Sequence, residues 1–485
     1  MSERPEHDLI VVGGGAAGMA CAIVAAERGA RVAVIEKTEA VGGTLFLSSG
    51  QLSAAGTRRQ RSHGIEDSPD QHYEDVMRLA HGHADPALVR LAVDEAPGTI
   101  DWLEDLGYEF ASGTPSLYYG HEPYSRPRTY WGPDGGRSVL RVLARAWNRL
   151  ATPDGPITAL LGHRAQELIV EDGAVVGVRA SGPGGEIAVH APATVITTGG
   201  YGANHQFFEA HTPGAGRLIS ACRRSSTGDG IIMAMSAGAH FRGAEHHLPT
   251  VGGFETIPGS GYAGEPPQFA ILNPASWPAR AIHVNRAGER FLAEDAYGPD
   301  RRERAIAAQP GAQVWVVFDD ASLADGRSFH PLLSADAVRQ VADYGMYAWA
   351  APDLPSLAAR AGLDPAGLER TVEQWNRAVA SRHDPLGVSE PGPAIATAPL
   401  YAFLINPVVV ITFGGIEVDG ELRVLDGAGE PIRGLYAAGE ALGASALGGD
   451  AFCGGMAVTP ALSFGRFLGG RLATREAPEP AIAGG

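Results

Sequence analysis

Short runs of consecutive apolar residues alternate with glycine-rich turns near the start of this chain. Residues 8–12 read "DLIVV" and residues 31–36 read "RVAVIE", with the segment "AAGMACAIVAAERG" between them. An apolar run of this length is typical of a strand buried on both faces, and a longer segment rich in small residues is typical of a helix packed on a sheet. The pattern predicts a strand, a helix and a second strand within about thirty residues.

Two later segments have the same character. "ATVITTGGYGAN" (residues 193–204) and "GLYAAGEALG" (434–443) each combine a buried-strand pattern with glycine. The region between them is richer in proline, tryptophan and amphipathic helical patterning, as in "LERTVEQWNRAVASR". We therefore predict an α/β fold in which one nucleotide-binding domain, residues 1–240 and 413–485, is interrupted by an α+β insertion at residues 241–412.

The turn after the first strand carries the pattern expected of a dinucleotide site. "VVGGGAAG" places three glycines in GxGxxG spacing, where they permit a tight turn, close approach of the backbone to a pyrophosphate and close helix packing. Glu36 ends the second strand, where a carboxylate accepts both ribose hydroxyls and disfavours a 2′-phosphate, which leaves FAD or NAD(H). The cofactor-binding residues predicted in this unit are Gly13, Gly15, Ala16, Ala17, Gly18, Glu36 and Lys37.

The stretch "TLFLSSGQL" (residues 44–52) favours FAD between these two cofactors. It follows a double glycine and is rich in small and hydroxyl-bearing residues. A bound FAD extends beyond its pyrophosphate and needs a small, extended lining for its ribityl chain and flavin ring. The residues predicted to supply this lining are Gly43, Thr44, Ser48, Ser49 and Gly50.

The composition argues against several classes of function. The 485 residues carry a formal net charge of -17, which disfavours nucleic-acid binding. There is neither a run of about eighteen apolar residues nor a basic segment before an apolar one at the N-terminus, so we expect no membrane span and no secretory signal. Cys21, Cys222 and Cys453 form no CxxC pair, consistent with a reducing cytoplasm and with no metal site. Any electron acceptor is expected to be a separate molecule.

Motifs over nearly the whole chain resemble those of one flavoprotein family, in the same order. They are "VVGGGAAGMACAIVAAERGARVAVIEK", "VGGTLFLSSG", "TTGGYGAN", "STGDG", "NRAGERFLAED", "GGIEVD", "GLYAAGE" and "LSFGR". The chain is thus similar to the FAD-dependent fumarate reductases, succinate dehydrogenases and 3-ketosteroid dehydrogenases. The resemblance implies a Rossmann-type FAD-binding domain interrupted by a capping domain that closes over the flavin. It also implies cofactor contacts from Gly200, Asp229, Glu440, Ala457 and Val458.

Departures from the family pattern narrow the expected chemistry. Members with covalent flavin carry a histidine just before the small-residue loop, which is "TLFLSSG" here, so FAD is expected to be non-covalent. Fumarate reductases place an arginine proton donor shortly after "RFxNE", where this chain has Tyr297 and Gly298. They also use an arginine before "LGG", where this chain has Ala446, and a histidine before a "GG" that "VITFGG" lacks. Succinate or fumarate is therefore not the expected substrate.

The same positions more closely resemble the 3-ketosteroid dehydrogenase branch. That branch has a tyrosine after "RFxNE", matched by Tyr297, and a tyrosine pair in the loop over the flavin, matched by Tyr118 and Tyr119 in "SLYYGHEP". It also has a glycine-rich turn whose backbone amide polarises the substrate ketone, and "FCGGMAVTP", with Gly454 and Gly455, resembles this turn. One tyrosine of that turn is not reproduced here.

The resemblance implies a division of catalytic roles. Removal of two hydrogens beside a ketone needs a base at the α carbon, a donor to the carbonyl oxygen and a hydride acceptor at the β carbon. Tyr297 is the implied base, Tyr119 the group that helps it ionise, and Gly455 N–H the donor. In "HEPYSRPRTYWG", Arg126 or Arg128 has the guanidinium geometry to bind a carboxylate. The alternative is that both arginines are solvated at the rim of the cap.

Three interpretations of function follow. The first is an FAD-dependent dehydrogenase acting on CH–CH groups, which introduces a C=C bond α,β to a ketone in a cyclic or ketosteroid-like substrate. If an arginine binds a carboxylate, the substrate class includes 4-oxocyclohexanecarboxylates. The second is a reductase that saturates an enone or enoate in the reverse direction. The third is a flavin-binding, electron-carrying protein without turnover.

Overall fold

The computed structural model describes most of the chain. The described residues are 6–212, 218–251, 255, 257, 259–263, 281–295, 298–324, 334–345 and 347–473.

The elements before residue 245 comprise both strands and helices. In chain order they are β1 (Leu9–Val12), α1 (Ala16–Glu27), β2 (Val32–Glu36), β3 (Leu52–Ser53), α2 (Arg58–Ser62), α3 (Pro69–Leu79), α4 (Pro86–Asp105), β4 (Thr129–Tyr130), α5 (Gly136–Leu150), β5 (Ile157–Leu161), β6 (Arg164–Glu171), β7 (Ala174–Gly182), β8 (Gly185–His190), β9 (Thr194–Ile196), α6 (His205–His211), α7 (Asp229–Ser236) and β10 (Phe241–Arg242).

The later elements fall into two groups. The first group is β11 (Thr250–Val251), β12 (Ile282–Val284), α8 (Pro299–Ala307), β13 (Val314–Asp319), α9 (Asp320–Ala324), α10 (Ala335–Tyr344), β14 (Ala348–Ala351), α11 (Leu354–Ala361), α12 (Pro365–Ser381), β15 (Leu400–Ile405) and β16 (Pro407–Val408). The second group is β17 (Gly415–Ile416), β18 (Arg423–Leu425), β19 (Pro431–Ala437), α13 (Ser445–Gly448) and α14 (Val458–Leu472).

The largest sheet in the described ranges is mainly parallel. Its strand order is β5-β2-β1-β9-β19-β7-β6, with β8 beside β7 and β18 beside β19. The pairs from β5 through to β7 are parallel, and β6, β8 and β18 join in antiparallel pairs. The predicted strand–helix–strand unit is confirmed as β1, α1 and β2. The two later glycine-tipped segments become β9 and β19, which lie side by side next to β1.

Small residues let two helices pack closely beside this sheet. Gly465 and Gly469 of α14 lie against the backbone carbonyls of Ala17 and Cys21 in α1, where an added Cβ would overlap those groups. Alanine, cysteine and glycine dominate the buried face of α1 for the same reason. The C-terminal helix thereby closes the domain that begins at the first strand.

A second, antiparallel sheet lies in the intervening part of the chain. Its strand order is β12-β13-β15-β14. Side chains of β13 alternate between two hydrophobic clusters: Val316 packs in one cluster with Val338 of α10, and Trp315 packs in the other with Trp375 of α12. The amphipathic segment predicted from "LERTVEQWNRAVASR" is α12, which begins after an Asp364 cap whose side chain accepts from Gly367 N–H at 2.7 Å.

The chain passes between the two sheets through short paired strands. Phe241 in β10 pairs with Ile416 in β17, and Thr250 in β11 pairs with Val408 in β16. These paired strands lie close to the domain boundaries predicted at 240/241 and 412/413. The boundaries themselves stay a prediction. In the described ranges, no helix combines the length and apolar character needed to cross a membrane.

Candidate active site

A cavity of about 660 Å³ lies where β1, β2, β9 and β19 end. Gly13 follows β1, Glu36 ends β2, Thr197 follows β9 and Glu440 follows β19, and all four residues line the cavity. In open α/β sheets, ligands bind outside the carboxyl ends of the parallel strands. The cofactor-binding residues predicted from sequence that line this cavity are Gly13, Gly15, Ala16, Ala17, Glu36, Lys37, Gly43, Thr44, Ser48, Ser49, Asp229, Glu440, Ala457 and Val458.

The start of α1 has the geometry of a pyrophosphate site. Gly15 is the N-cap residue and makes no side-chain capping bond, so the first N–H groups of the helix face the cavity without a capping partner. Gly13 has φ +101°, and a Cβ there would stand 2.6 Å from Thr197 O. Gly18 lies behind the wall, where a Cβ would overlap the carbonyl of Gly13. Gly13 and Gly18 thus meet the backbone constraints that the motif predicts, and the approach of a pyrophosphate at Gly15 stays a prediction.

Glu36 is fixed where a ribose would bind. Its Oε2 accepts from Gly14 N–H at 2.7 Å, and its Oε1 accepts from both the N–H and the hydroxyl of Thr38 at 2.8 Å. These bonds orient the Glu36 side chain at the end of β2, beside the turn that carries the glycines.

We expect Glu36→Ala to weaken FAD binding by about 10²-fold or more. Two charge-assisted hydrogen bonds to a ribose would be lost, each worth roughly 1.5–3 kcal/mol. Titration of apoprotein with FAD, followed by flavin fluorescence, measures the change. Glu39→Ala is the matched control, because Glu39 is an exposed carboxylate in the same loop. Equal affinities for the two variants would contradict the assignment.

Lys37 and Asp229 form an ion pair on the cavity wall. Lys37 Nζ lies 2.9 Å from Asp229 Oδ2, and Arg164 contacts the other oxygen of Asp229 at 2.9 Å. Burial acts to raise the pKa of Asp229, but hydrogen bonds from Arg164 and Lys37 outweigh it and the pKa is lowered. Asp229 is therefore ionised and begins α7 at the cavity.

The segment 44–52 lies between the cavity and the start of α5. Ser48, Ser49 and Gln51 line the cavity, as predicted for a small and hydroxyl-rich lining. Gly50 faces away from it: its φ is +69°, and a Cβ would overlap the backbone of Gly135. Gly50 therefore allows the lining segment to press against α5 rather than contacting a cofactor itself.

Glu440 is a half-buried carboxylate held by Thr412. Its Oε1 accepts from Thr412 N–H at 2.9 Å and from the Thr412 hydroxyl at 3.1 Å. Burial raises the pKa of Glu440, and these hydrogen bonds partly oppose the shift. Gly200 lies directly beside this pair, where a Cβ would overlap both side chains. Gly200 supports the cavity wall from behind.

The turn at Gly454 and Gly455 presents a backbone donor to the cavity. Gly455 lines the cavity and is buried, and its N–H makes no hydrogen bond to any described residue. The Gly454 carbonyl belongs to the same peptide unit and accepts from the Tyr124 hydroxyl at 2.5 Å. Because a hydrogen bond on a peptide carbonyl polarises the N–H of that unit, Tyr124 strengthens the Gly455 donor.

The tyrosines predicted to act in catalysis or substrate binding are not found in the cavity lining of the described residues. Tyr118 is half-buried, and its ring meets His121 and Trp131 edge-on at 5.7 and 5.2 Å between centroids. Tyr119 is 46% exposed. Neither lines the cavity, whereas the next two residues of the loop do. Tyr297 lies outside the described residues.

The prediction that Arg126 or Arg128 binds a substrate carboxylate does not fit their surroundings. Arg128 is fully buried, with its Nε and Nη2 bonded to Asp67 at 3.0 and 2.9 Å and its Nη1 2.9 Å from Asp75. The guanidinium is thus already committed to two carboxylates. Arg126 is exposed, as the rim alternative predicts, and neither residue lines the cavity.

Other polar side chains in the cavity were not predicted from sequence. They include Gln51, His121, Thr250, Arg302 and Glu303. Arg302 is 4% exposed, and burial lowers its pKa to about 10. His121 directly follows the "LYYG" segment, so the loop was identified although its histidine was not. Arg302 and Glu303 lie on α8, five and six residues after Tyr297, and only the turn of that helix shows which of its residues face the cavity.

Comparisons with known proteins agree with this geometry. A family model described as the FAD binding domain matches residues 8–456. The chain is 29% identical over 476 residues to the probable fumarate reductase Ifc3 of Shewanella frigidimarina (strain NCIMB 400), covering 95% of this chain and 74% of that protein. It is 28% identical over 528 residues to the 4-oxocyclohexanecarboxylate 2-dehydrogenase of Sinomonas cyclohexanicum, covering 90% and 88% respectively.

A solved structure is similar over the full length. The 3-ketosteroid-delta4-(5alpha)-dehydrogenase of Rhodococcus jostii RHA1, in complex with 4-androstene-3,17-dione, has a TM-score of 0.72 and 27% identity, covering 98% of this chain and 99% of that one. The resemblance predicted from the motifs is confirmed. The chain belongs to the FAD binding domain family, is similar to the fumarate reductase flavoproteins, and is an FAD-dependent oxidoreductase.

Proposed function

We propose that this oxidoreductase introduces a C=C bond α,β to the ketone of a cyclic substrate. The observation that carries the proposal is Gly455, a buried residue of the cavity lining whose N–H has no hydrogen-bond partner in the described part of the chain. A buried donor of this kind is costly unless a ligand oxygen accepts from it. A substrate carbonyl is such an acceptor, and its oxygen gains negative charge as the α-proton leaves.

The residues around this donor prepare it for the reaction. Tyr124 polarises the peptide unit through the Gly454 carbonyl, and Gly455 packs against the backbone of Ser53 in β3, so the donor is held in place. FAD, when bound, supplies the acceptor for the hydride that leaves the β carbon. Tyr297 remains the proposed base and Tyr119 its proposed partner, as the resemblance implies.

One buried guanidinium in the cavity lining is a candidate partner for a carboxylate on the substrate. Arg302 is a buried arginine that lines the cavity, whereas Arg126 and Arg128 do not line it. The 4-oxocyclohexanecarboxylate 2-dehydrogenase is a relative whose name states such a substrate. We therefore propose a cyclic ketone acid of this class, with non-covalent FAD, an external electron acceptor and a cytoplasmic location.

The second candidate is a reductase that runs the reverse reaction on an enone or enoate. The similarity to the probable fumarate reductase Ifc3 and the same buried Arg302 favour it. Both candidates share donor, cavity and cofactor, so the direction depends on the electron supply.

Anaerobic mixing of the holoenzyme with a ketone panel tests the first candidate. The panel contains 4-oxocyclohexanecarboxylate, cyclohexanone, a steroid 3-ketone and succinate, and bleaching of the flavin band is followed. We expect bleaching by the ketone acid, slowed by about 10²–10⁴-fold in Tyr297→Phe, because a general base contributes that much. Tyr73→Phe is the control, because Tyr73 lies on α3 beside Arg90, away from the cavity lining.

The opposite result is equally specific. If no ketone bleaches the flavin but an enone or fumarate reoxidises the chemically reduced enzyme, the dehydrogenase is excluded in favour of the reductase.

A further inference from the structure

A histidine and a buried aspartate face each other at the edge of the cavity. His121 lines the cavity, and its Nδ1 lies 3.9 Å from Oδ1 of Asp300, the second residue of α8. Both atoms are buried, and neither has a hydrogen-bond partner in the described ranges. The Asp300 side chain is 5% exposed. Buried polar atoms without a hydrogen bond are costly, so a closer approach of this carboxylate and this imidazole nitrogen is favourable.

The other oxygen of Asp300 is tied to the turn that carries the backbone donor. Asp300 Oδ2 accepts from Phe452 N–H at 3.3 Å, and Phe452 lies three residues before Gly455. The Phe452 ring also stacks on the His121 ring, with 5.5 Å between centroids and 29° between planes. One aspartate therefore fixes the position of His121 relative to the turn of Gly455.

We infer that His121, oriented by Asp300, accepts the α-proton of the substrate. The inference rests on the proposed dehydrogenation but assigns its proton step to an imidazole in place of the Tyr297 phenol that the resemblance implies. Proton removal that is retained in Tyr297→Phe and lost in His121→Gln distinguishes the two bases. Nδ1 is directed at Asp300, while Nε2 is not among the buried atoms and bonds no described residue, which leaves it available to a ligand. A distance of 3.9 Å exceeds a hydrogen bond, but catalytic hydrogen bonds are commonly long before the substrate binds and shorten in the complex.

The chemistry favours this group over a phenol. Histidine is the side chain that most often serves as a general base in enzymes. The facing carboxylate of Asp300 stabilises the imidazolium that forms. The other groups around His121 are the edge of Tyr118, the face of Phe452 and, elsewhere in the cavity lining, Arg302 and Glu303.

The step balances with the cofactor as oxidant. The α C–H bond breaks, its proton goes to Nε2 of His121, and its electron pair forms the new C=C bond as a hydride leaves the β carbon for FAD. The substrate loses two electrons and FAD gains them. His121 then releases the proton to solvent.

Exchange of substrate α-protons in D2O isolates this step. Holoenzyme reduced with dithionite cannot accept hydride, so incorporation of deuterium into 4-oxocyclohexanecarboxylate, followed by NMR, reports proton removal alone. We expect His121→Gln to lower the exchange rate by about 10²–10⁴-fold. Asp300→Asn should lower it by about tenfold or more, because the group that holds the imidazole tautomer is changed. His240→Gln is the matched control, because His240 pairs with Glu417 at 2.6 Å on an exposed surface.

Two accompanying measurements separate the possible failures. The dissociation constant of the ketone acid, from perturbation of the flavin band, should be nearly unchanged in His121→Gln. If His121→Gln exchanges α-protons as fast as the wild-type enzyme, the inference is overturned. It is also overturned if weaker substrate binding explains the whole loss of exchange rate. If the wild-type enzyme exchanges α-protons but no ketone bleaches its flavin, the dehydrogenase fails while the proton step of His121 stands.

Discussion

Replacing Arg128 by methionine is expected to lower the free energy of unfolding by about 3–5 kcal/mol. Arg128 is fully buried between Asp67 and Asp75, which are themselves buried. Removing the guanidinium takes the buried counter-charge away from both carboxylates and leaves Asp75 with the exposed Arg78, 2.8 Å away. Methionine keeps most of the volume, so the loss reports charge rather than a cavity. Urea unfolding of the holoenzyme, followed by tryptophan fluorescence, measures it.

Arg126→Met is the matched control for this prediction. Arg126 lies two residues earlier in the same loop and is exposed, so its replacement is expected to change the free energy of unfolding by no more than about 0.5 kcal/mol. Equal losses in the two variants would contradict the buried ion-pair account.

Acid should weaken the same cluster of Arg128, Asp67 and Asp75. Burial acts to raise the pKa of Asp75, but hydrogen bonds from Ser125 and Arg78 outweigh it and the pKa is lowered.

The direction of the pH effect follows from that lowered pKa. A carboxylate with a lowered native pKa contributes stability above its unfolded pKa of about 3.9, and this contribution is lost as the pH falls through the native pKa. The free energy of unfolding of the wild-type protein is therefore expected to fall below about pH 4. In Arg128→Met this part of the acid dependence should be smaller.

Replacing Gly455 by alanine is expected to slow flavin reduction by the ketone substrate by about 10²–10³-fold. Gly455 has φ +78°, and a Cβ there would stand 2.5 Å from Ser53 N and 2.6 Å from the Leu52 carbonyl carbon. The turn must shift to relieve these contacts, which moves the N–H away from the substrate oxygen. Single-turnover reduction under anaerobic conditions measures the rate constant.

Gly448→Ala controls for the general effect of adding a methyl group nearby. Gly448 lies in α13, has no positive φ, and has nothing within 4 Å of an added Cβ. Both variants should retain FAD, as the ratio of flavin absorbance to protein reports. Undiminished reduction in Gly455→Ala, with FAD retained, would contradict the donor role of this backbone N–H.

The nucleotide-binding half of the site could be predicted from sequence because its signals are local. Gly13, Gly15 and Gly18 meet backbone constraints within one turn, and Glu36 follows them at the end of the next strand, so strand, turn and helix were visible in fewer than about forty residues. The small-residue lining at 44–52 was predicted for the same reason. Gly50 in this segment was predicted to contact the cofactor, whereas it packs against Gly135. The sequence does not reveal this contact, because the two glycines are far apart in the chain.

The substrate half depended on contacts between distant segments. Arg126 and Arg128 are equivalent in sequence, and only the fold places Asp67 and Asp75 around one of them. In the same way, His121 gains a chemical partner only because α8 begins beside its loop. The sequence by itself determined the cofactor, the strand–helix–strand unit and the family, since these rest on backbone geometry and short-range spacing. Only the tertiary structure decided which charged side chains are buried together and which face the cavity, because desolvation and pairing depend on neighbours that the chain brings together from far apart.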